Sequence, residues 1–220
     1  MTLSDTPLWT PKRIVILALI LGAWFAVAAL IGVGGLFTNP SGGFMAPIAV
    51  TAAVPVAVFM AAYWLSGSFR RFVLAQDIEA LTTLQHWRVV GFAFLLLWAH
   101  GVLPAVFALF AGLGDVAIGL AAPFVMRRLR EDPGYAQSAG FRRYHYLGLL
   151  DFAVAVAAAG LTAGFLPVLT SAGVTSAAMD VWPLNLFPSL IVPAFIILHL
   201  NVLLKLRAER TVHMAAPVAV

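Results

Sequence analysis

The chain contains no cysteine, and only 10% of its 220 residues are charged. The absence of cysteine excludes disulfide bonds, thiolate metal ligands and a cysteine nucleophile. Soluble proteins carry about 25% charged residues, so this chain has too few to cover a water-facing surface. Most of its surface must therefore face lipid.

The sequence contains long apolar runs. Hydrophobic residues make up 62% of the chain, and the mean hydropathy is +0.99. A helix needs about 20 apolar residues to cross the hydrocarbon core of a bilayer, which is about 30 Å thick. The sequence therefore predicts a single all-α transmembrane domain over residues 1–220, a bundle of six spans at 14–37, 44–65, 88–110, 112–126, 146–170 and 182–204.

The basic residues indicate how this bundle is oriented. With six spans, all thirteen Lys and Arg residues fall on the same side as the N-terminus. Cytoplasmic loops collect Lys and Arg, so we expect both termini in the cytoplasm and a bacterial-type inner membrane. The pI near 10 then reflects topology and gives no reason to expect a nucleic-acid partner. Apolar residues at helical spacing over 69–84 predict a short interfacial amphipathic helix.

Four ionisable residues fall within the predicted spans, where each costs roughly 2.5–3.5 kcal/mol to insert and indicates a functional site. We estimate their depths at about 1.5 Å per residue from the nearest basic residue, taking Arg88 as the boundary of the third span. These depths predict two pairs, one of His100 with Asp115 and one of Asp151 with His199.

Three prolines inside apolar runs support a polar site. Proline removes the hydrogen bond to the carbonyl four residues earlier, and here those carbonyls belong to polar residues: Pro55 follows Thr51, Pro104 follows His100, and Pro193 follows Ser189. We expect a small polar pocket at His100 and Asp115. Further candidate substrate- or ion-binding residues are Thr51, Ser189, Asp151, His199 and Asn201. The alternative, that each pair is only a structural contact between helices, stays open.

Catalytic motifs are absent: the sequence has no phosphate-binding glycine loop, no HExxH and no GxSxG elbow. Whether the protein is an enzyme stays open. The leading prediction is binding or transport of a small solute or cation, without a cofactor. One alternative is a haem b or metal-binding electron-transfer protein or oxidoreductase that uses some of His86, His100, His145 and His199. A second is an accessory subunit of a larger membrane complex.

The expected partners follow from these hypotheses. They are the lipid bilayer, a small-molecule or ion ligand, and either further copies of this chain in a homo-oligomer or the other subunits of a membrane complex.

Overall fold

The computed structural model describes residues 9–37, 47–163, 170 and 173–215, and over these residues it contains helices and no strands. The helices are α1 (Pro11–Val33), α2 (Pro47–Leu65), α3 (Gly67–Leu74), α4 (Ile78–Ala99), α5 (Ala105–Glu131), α6 (Ala139–Leu161) and α7 (Val192–Ala215). Short 3₁₀ turns lie at Pro133–Gln137 and Ser176–Asp180, and a π-helical turn at Phe187–Ile191 precedes α7.

Five helical stretches among the described residues are long and apolar enough to cross a membrane, and a sixth is added if α2 and α3 count as one bent span. The prediction of an all-helical, multi-pass membrane protein is confirmed at this level. The observed helices also correct several predicted bounds, notably around 88–126.

One end of the bundle gathers the helix ends that carry basic residues. Near the start of α1, the Trp9 ring packs edge-on against the Phe72 ring of α3, with centroids 5.4 Å apart. Arg130, near the end of α5, forms an ion pair with Glu79 at the start of α4. We call this the basic end. The opposite end contains the turn that joins α4 to α5.

The predicted third span, 88–110, is wrong, because the chain turns within it. Helix α4 ends at Ala99, and α5 begins at Ala105 and includes the whole predicted span 112–126. The turn contains Gly101 with a φ of +71°, a conformation that favours glycine. Pro104 has extended backbone and occupies the N-cap of α5. It therefore begins a helix and does not bend one.

The amphipathic segment predicted over 69–84 also divides into two parts. Helix α3 bends by 108° from α2 and ends at Leu74. The Asp77 carboxylate then caps the next helix by accepting hydrogen bonds from the backbone N–H groups of Glu79 and Ala80. Since a capped N-terminus begins a helix, residues from Ile78 onward belong to the long helix α4.

Two prolines within helical segments release carbonyls that side chains of neighbouring helices then bind. Pro193 cannot donate to the Ser189 carbonyl, and the Trp24 indole N–H of α1 donates to it at 2.9 Å. Pro123 releases the Gly119 carbonyl in the same way, and Nδ1 of His86 lies 3.0 Å from that oxygen. Because a carbonyl only accepts, Nδ1 of His86 carries the hydrogen.

This pairing predicts a non-additive pair of substitutions. His86→Ala should cost about 1–2 kcal/mol of unfolding free energy, because the Gly119 carbonyl loses its donor. In a Pro123→Ala background the cost should be much smaller, since residue 123 regains the N–H that binds this carbonyl. Unfolding in mixed detergent–SDS micelles measures the cost of His86→Ala in both backgrounds. Equal costs would contradict the hydrogen bond between His86 and the carbonyl that Pro123 leaves free.

A buried acid near the opposite end predicts a pH dependence of stability. Asp180 lies between α6 and α7, and burial raises its pKa from 3.8 to about 6. Asp180 therefore binds its proton more tightly in the native state than in the unfolded state, and this contribution to stability is lost as the pH rises from 4 to 6. Because solvent screens part of the effect, the free energy of unfolding should fall by only about 1 kcal/mol over this range. Asp180→Asn should remove this component. Thermal unfolding of both proteins across this range checks it, and unchanged pH dependence in the variant would refute it.

Candidate functional site

Arg88 lies in the middle of α4 and is fully buried. It is ten residues from Ile78 and eleven from Ala99, or about 15 Å along the helix from each end. The surrounding turns, Gln85–Gly91, are wound as a 3₁₀ helix, a departure inside a long helix that often marks a functional region. Taking Arg88 as a membrane boundary was therefore wrong, and so was the depth estimated from it.

The Arg88 guanidinium joins two carboxylates from two other helices. Its Nε donates to Oδ1 of Asp115 in α5 at 2.7 Å, and its Nη2 donates to Oδ2 of Asp151 in α6. Its Nη1 donates to the Gly148 carbonyl at 3.1 Å. The guanidinium carbon also stacks over the Phe152 ring, 3.9 Å from its centroid. The charge is thus held by geometry that suits a planar guanidinium and would not suit an ammonium group.

Two histidines extend this network toward the basic end. Nη1 of Arg88 lies 3.1 Å from Nε2 of His199, and Nδ1 of His199 lies 2.8 Å from Nδ1 of His145. A guanidinium only donates, so Nε2 of His199 accepts and its hydrogen is on Nδ1. That hydrogen is donated to Nδ1 of His145, which places the hydrogen of His145 on Nε2. Nε2 of His145 is buried and has no hydrogen-bond partner among the described residues.

Glycines on the adjoining helices provide the space for these side chains. A Cβ at Gly148 would lie 2.2 Å from Nε2 of His199 and 3.1 Å from Nη1 of Arg88. A Cβ at Gly114 would lie 1.5 Å from Oδ1 of Asp151. Neither position tolerates a side chain unless the network moves. We call Arg88, Asp115, Asp151, His145 and His199 the Arg88 cluster.

The cluster carries an unbalanced charge. With neutral histidines, one guanidinium and two carboxylates sum to one net negative charge. Within the described residues, Arg88 is the only cation that pairs with either carboxylate. An uncompensated charge in a low-dielectric interior is costly, so the arrangement favours the binding of one further positive charge.

The structure brings together some of the predicted site residues in a different arrangement. His100 is exposed in the turn after α4, nine residues or about 13 Å along the helix from Gly91, which lies against Asp115. The predicted His100–Asp115 pair is not formed, and Asp115 binds Arg88 in its place. Asp151 and His199 both belong to the cluster but are joined through Arg88.

Other predicted residues lie apart from the hydrogen bonds of Arg88. The Ser189 hydroxyl donates to the Asn185 carbonyl at 2.6 Å. Asn201 is buried, and its Oδ1 has no partner among the described residues. Thr51 is half-buried on α2.

The candidate haem or metal ligands are not arranged around a common centre. The hydrogen on Nδ1 of His86 is directed to the Gly119 carbonyl. The 2.8 Å between the Nδ1 atoms of His145 and His199 is too short for a metal between them, since two nitrogens bound at about 2.0–2.1 Å in a tetrahedral site are roughly 3.3 Å apart. Over the part of the chain that the structure describes, no group of three His, Cys, Asp or Glu side chains is placed to hold a metal ion. Haem or metal binding stays a prediction.

An open groove between α5 and α6 leads to the cluster. Its volume is about 370 Å³. The Asp151 side chain forms part of its wall and is 11% exposed. The other lining residues are apolar or glycine: Leu109, Phe110, Leu113, Gly114, Leu147, Leu150 and Val154.

Comparison with known proteins adds a family but no activity. Residues 45–207 match the family model described as Domain of unknown function (DUF8737). The match includes all five residues of the Arg88 cluster. No curated protein and no solved structure matches the chain.

Proposed function

This chain belongs to the DUF8737 family, and we propose that it is a membrane carrier that exchanges a small cation for a proton at the Arg88 cluster. The observation that carries the proposal is the net negative charge of a cluster built around a fully buried arginine. A proton or a cation neutralises this charge equally well. Because both would occupy one site, the binding of one releases the other, which is the coupling that an exchanger needs.

The polar groups are too many and too well arranged for a simple contact between helices. Membrane helices associate largely through the close packing of small residues, and a hydrogen bond between polar side chains adds to that packing. Here side chains from α4, α5, α6 and α7 meet, and the Arg88 guanidinium forms hydrogen bonds with all four polar groups that surround it, namely Asp115, Asp151, His199 and the Gly148 carbonyl. Ionisable groups gathered inside a bundle are typical of ion and proton pathways.

We further propose six spans, with α2 and α3 forming one, and the basic end in the cytoplasm of a bacterial inner membrane. Twelve of the thirteen Lys and Arg residues, all except Arg88, lie at or near the basic end. An excess of Lys and Arg marks the cytoplasmic side. This topology places the His145 side of the cluster toward the cytoplasm.

Proteoliposomes with an acidic lumen and a trapped pH dye test the exchange. Potassium, tetraethylammonium or tetraphenylphosphonium is added outside in turn, and the lumen pH is followed. We expect at least one of these cations to raise the lumen pH in vesicles that contain the protein and not in protein-free vesicles.

Asp151→Asn tests whether the exchange depends on the charge of the cluster. In this variant Arg88 and Asp115 balance, so the cluster no longer attracts a further charge and the exchange should be lost. Arg128→Leu, at an exposed position of the basic end, should behave like the wild type. If no cation moves protons, or if Asp151→Asn exchanges at the wild-type rate, the proposal is refuted. The former result would favour an accessory subunit, for which the cluster is only structural.

A further inference from the structure

The groove between α5 and α6 points to the class of cation. We propose that it admits a lipophilic organic cation from the bilayer, with the apolar groups of the ligand in the groove and its positive centre at Asp151. This inference rests on the proposed exchange function and specifies its substrate.

The walls of the groove suit apolar groups. Phe110, Leu113, Leu147 and Leu150 each expose more than half of their surface to the surrounding medium, which in a membrane is lipid. The volume of about 370 Å³ lies within the range of about 300–1,000 Å³ that is usual for small-molecule sites. A hydrophilic cation would have to shed its hydration shell against these walls, which is costly, whereas a lipophilic cation already resides in the bilayer.

Charge complementarity indicates that the positive centre of the ligand contacts Asp151. Among the described residues that line the groove, Asp151 is the only charged one. Arg88 binds its Oδ2, while its Oδ1 lies against Gly114, also in the lining, and receives no hydrogen bond from the described residues. One carboxylate oxygen of Asp151 is therefore available in the groove, and it belongs to a cluster with one net negative charge. An apolar site with a single negative group selects a ligand that is apolar with a single positive centre.

Equilibrium dialysis of the detergent-solubilised full chain with radiolabelled tetraphenylphosphonium tests this proposal. This probe is a permanent cation, so its own charge does not change with pH. Leu147→Trp places a large side chain in the groove without altering the cluster. We expect its affinity for the probe to be at least about tenfold weaker than that of the wild type, and Asp151→Asn to lose binding to a similar extent.

Leu120→Trp is the matched control. Leu120 lies on α5 outside the groove lining and is 54% exposed, against 55% for Leu147. This variant should bind the probe like the wild type, and empty micelles give the background of partitioning. Leu150→Trp repeats the obstruction from another position of α6, so the test does not depend on the folding of one variant.

Two results overturn the inference. One is that Leu147→Trp and Leu150→Trp both bind tetraphenylphosphonium with the affinity of the wild type. The other is that the wild type binds tetraethylammonium more tightly than tetraphenylphosphonium. Either would leave the exchange function standing if the proteoliposomes still moved protons in return for potassium or tetraethylammonium. Loss of proton exchange with every cation would instead refute the proposed function itself.

Discussion

Replacing Arg88 with leucine should lower the free energy of unfolding by about 3–5 kcal/mol. The substitution leaves the buried Asp115 and the largely buried Asp151 without their cation and removes the hydrogen bonds to the Gly148 carbonyl and His199. An unpaired buried charge costs far more than the net contribution of the pair. Titration with SDS in mixed micelles measures the loss.

Two further proteins show that the loss comes from unpaired charge. Adding Asp115→Asn and Asp151→Asn to Arg88→Leu should recover most of the stability, because no charge then remains in the cluster. Arg128→Leu removes an exposed arginine and should change stability by no more than about 0.5 kcal/mol. A single Arg88→Leu variant as stable as the wild type would show that Arg88 is not buried among the two carboxylates.

Gly148→Ala should be among the most damaging additions of a single methyl group in the described part of the chain. The added Cβ would lie 2.2 Å from Nε2 and 2.4 Å from Cε1 of His199, so the imidazole must move away from Arg88. Overpacking of this kind costs about 1–3 kcal/mol, and here it also breaks the link between Arg88 and His199. We expect lower thermal stability together with a loss of cation–proton exchange.

Gly22→Ala is the control for this substitution. Gly22 lies in α1, and nothing lies within 4 Å of a Cβ built there. Alanine favours helix over glycine by about 0.8–1.0 kcal/mol, so this variant should be as stable as the wild type or more so. His199→Ala combined with Gly148→Ala should recover stability without recovering exchange. Wild-type exchange by Gly148→Ala would show that the cluster tolerates the displacement and does not carry the activity.

Composition alone predicted the class of fold. Few charges indicate a surface that faces lipid, and the long apolar runs indicate helices that cross it. The helix bounds were harder to predict, since residues 88–126 are almost continuously apolar and give no periodic signal. Two local signals do mark the break within them. Gly101 and Pro104 bracket the turn, and such a pair is typical of a connection between helices.

The position of Arg88 could have been predicted from the cap of α4. Asp77 followed by Ile78 and Glu79 is a helix N-terminus signature. Counting from that cap places Arg88 eleven residues further along the chain, well inside the helix, where it becomes the most unusual residue in the chain. It was missed because an arginine ahead of an apolar run resembles an ordinary membrane boundary.

Pairwise geometry could not be predicted from the sequence. The rule that proline releases a carbonyl correctly singles out Ser189, yet its donor, Trp24, lies 165 residues away in another helix. The histidine pair of His145 and His199 likewise depends on how α6 and α7 pack, because the sequence does not specify how each helix is rotated about its axis.

The central claim is that the Arg88 cluster holds one exchangeable positive charge, and infrared spectroscopy of the purified protein during a pH titration tests it most directly. The spectrum of the wild type minus that of Asp151→Asn should show the C=O stretching band of one protonated carboxylic acid, which disappears at high pH or when a bound cation replaces the proton. The band should be absent from the variant, because Arg88 and Asp115 then balance. A difference spectrum without such a band at any pH would contradict the account.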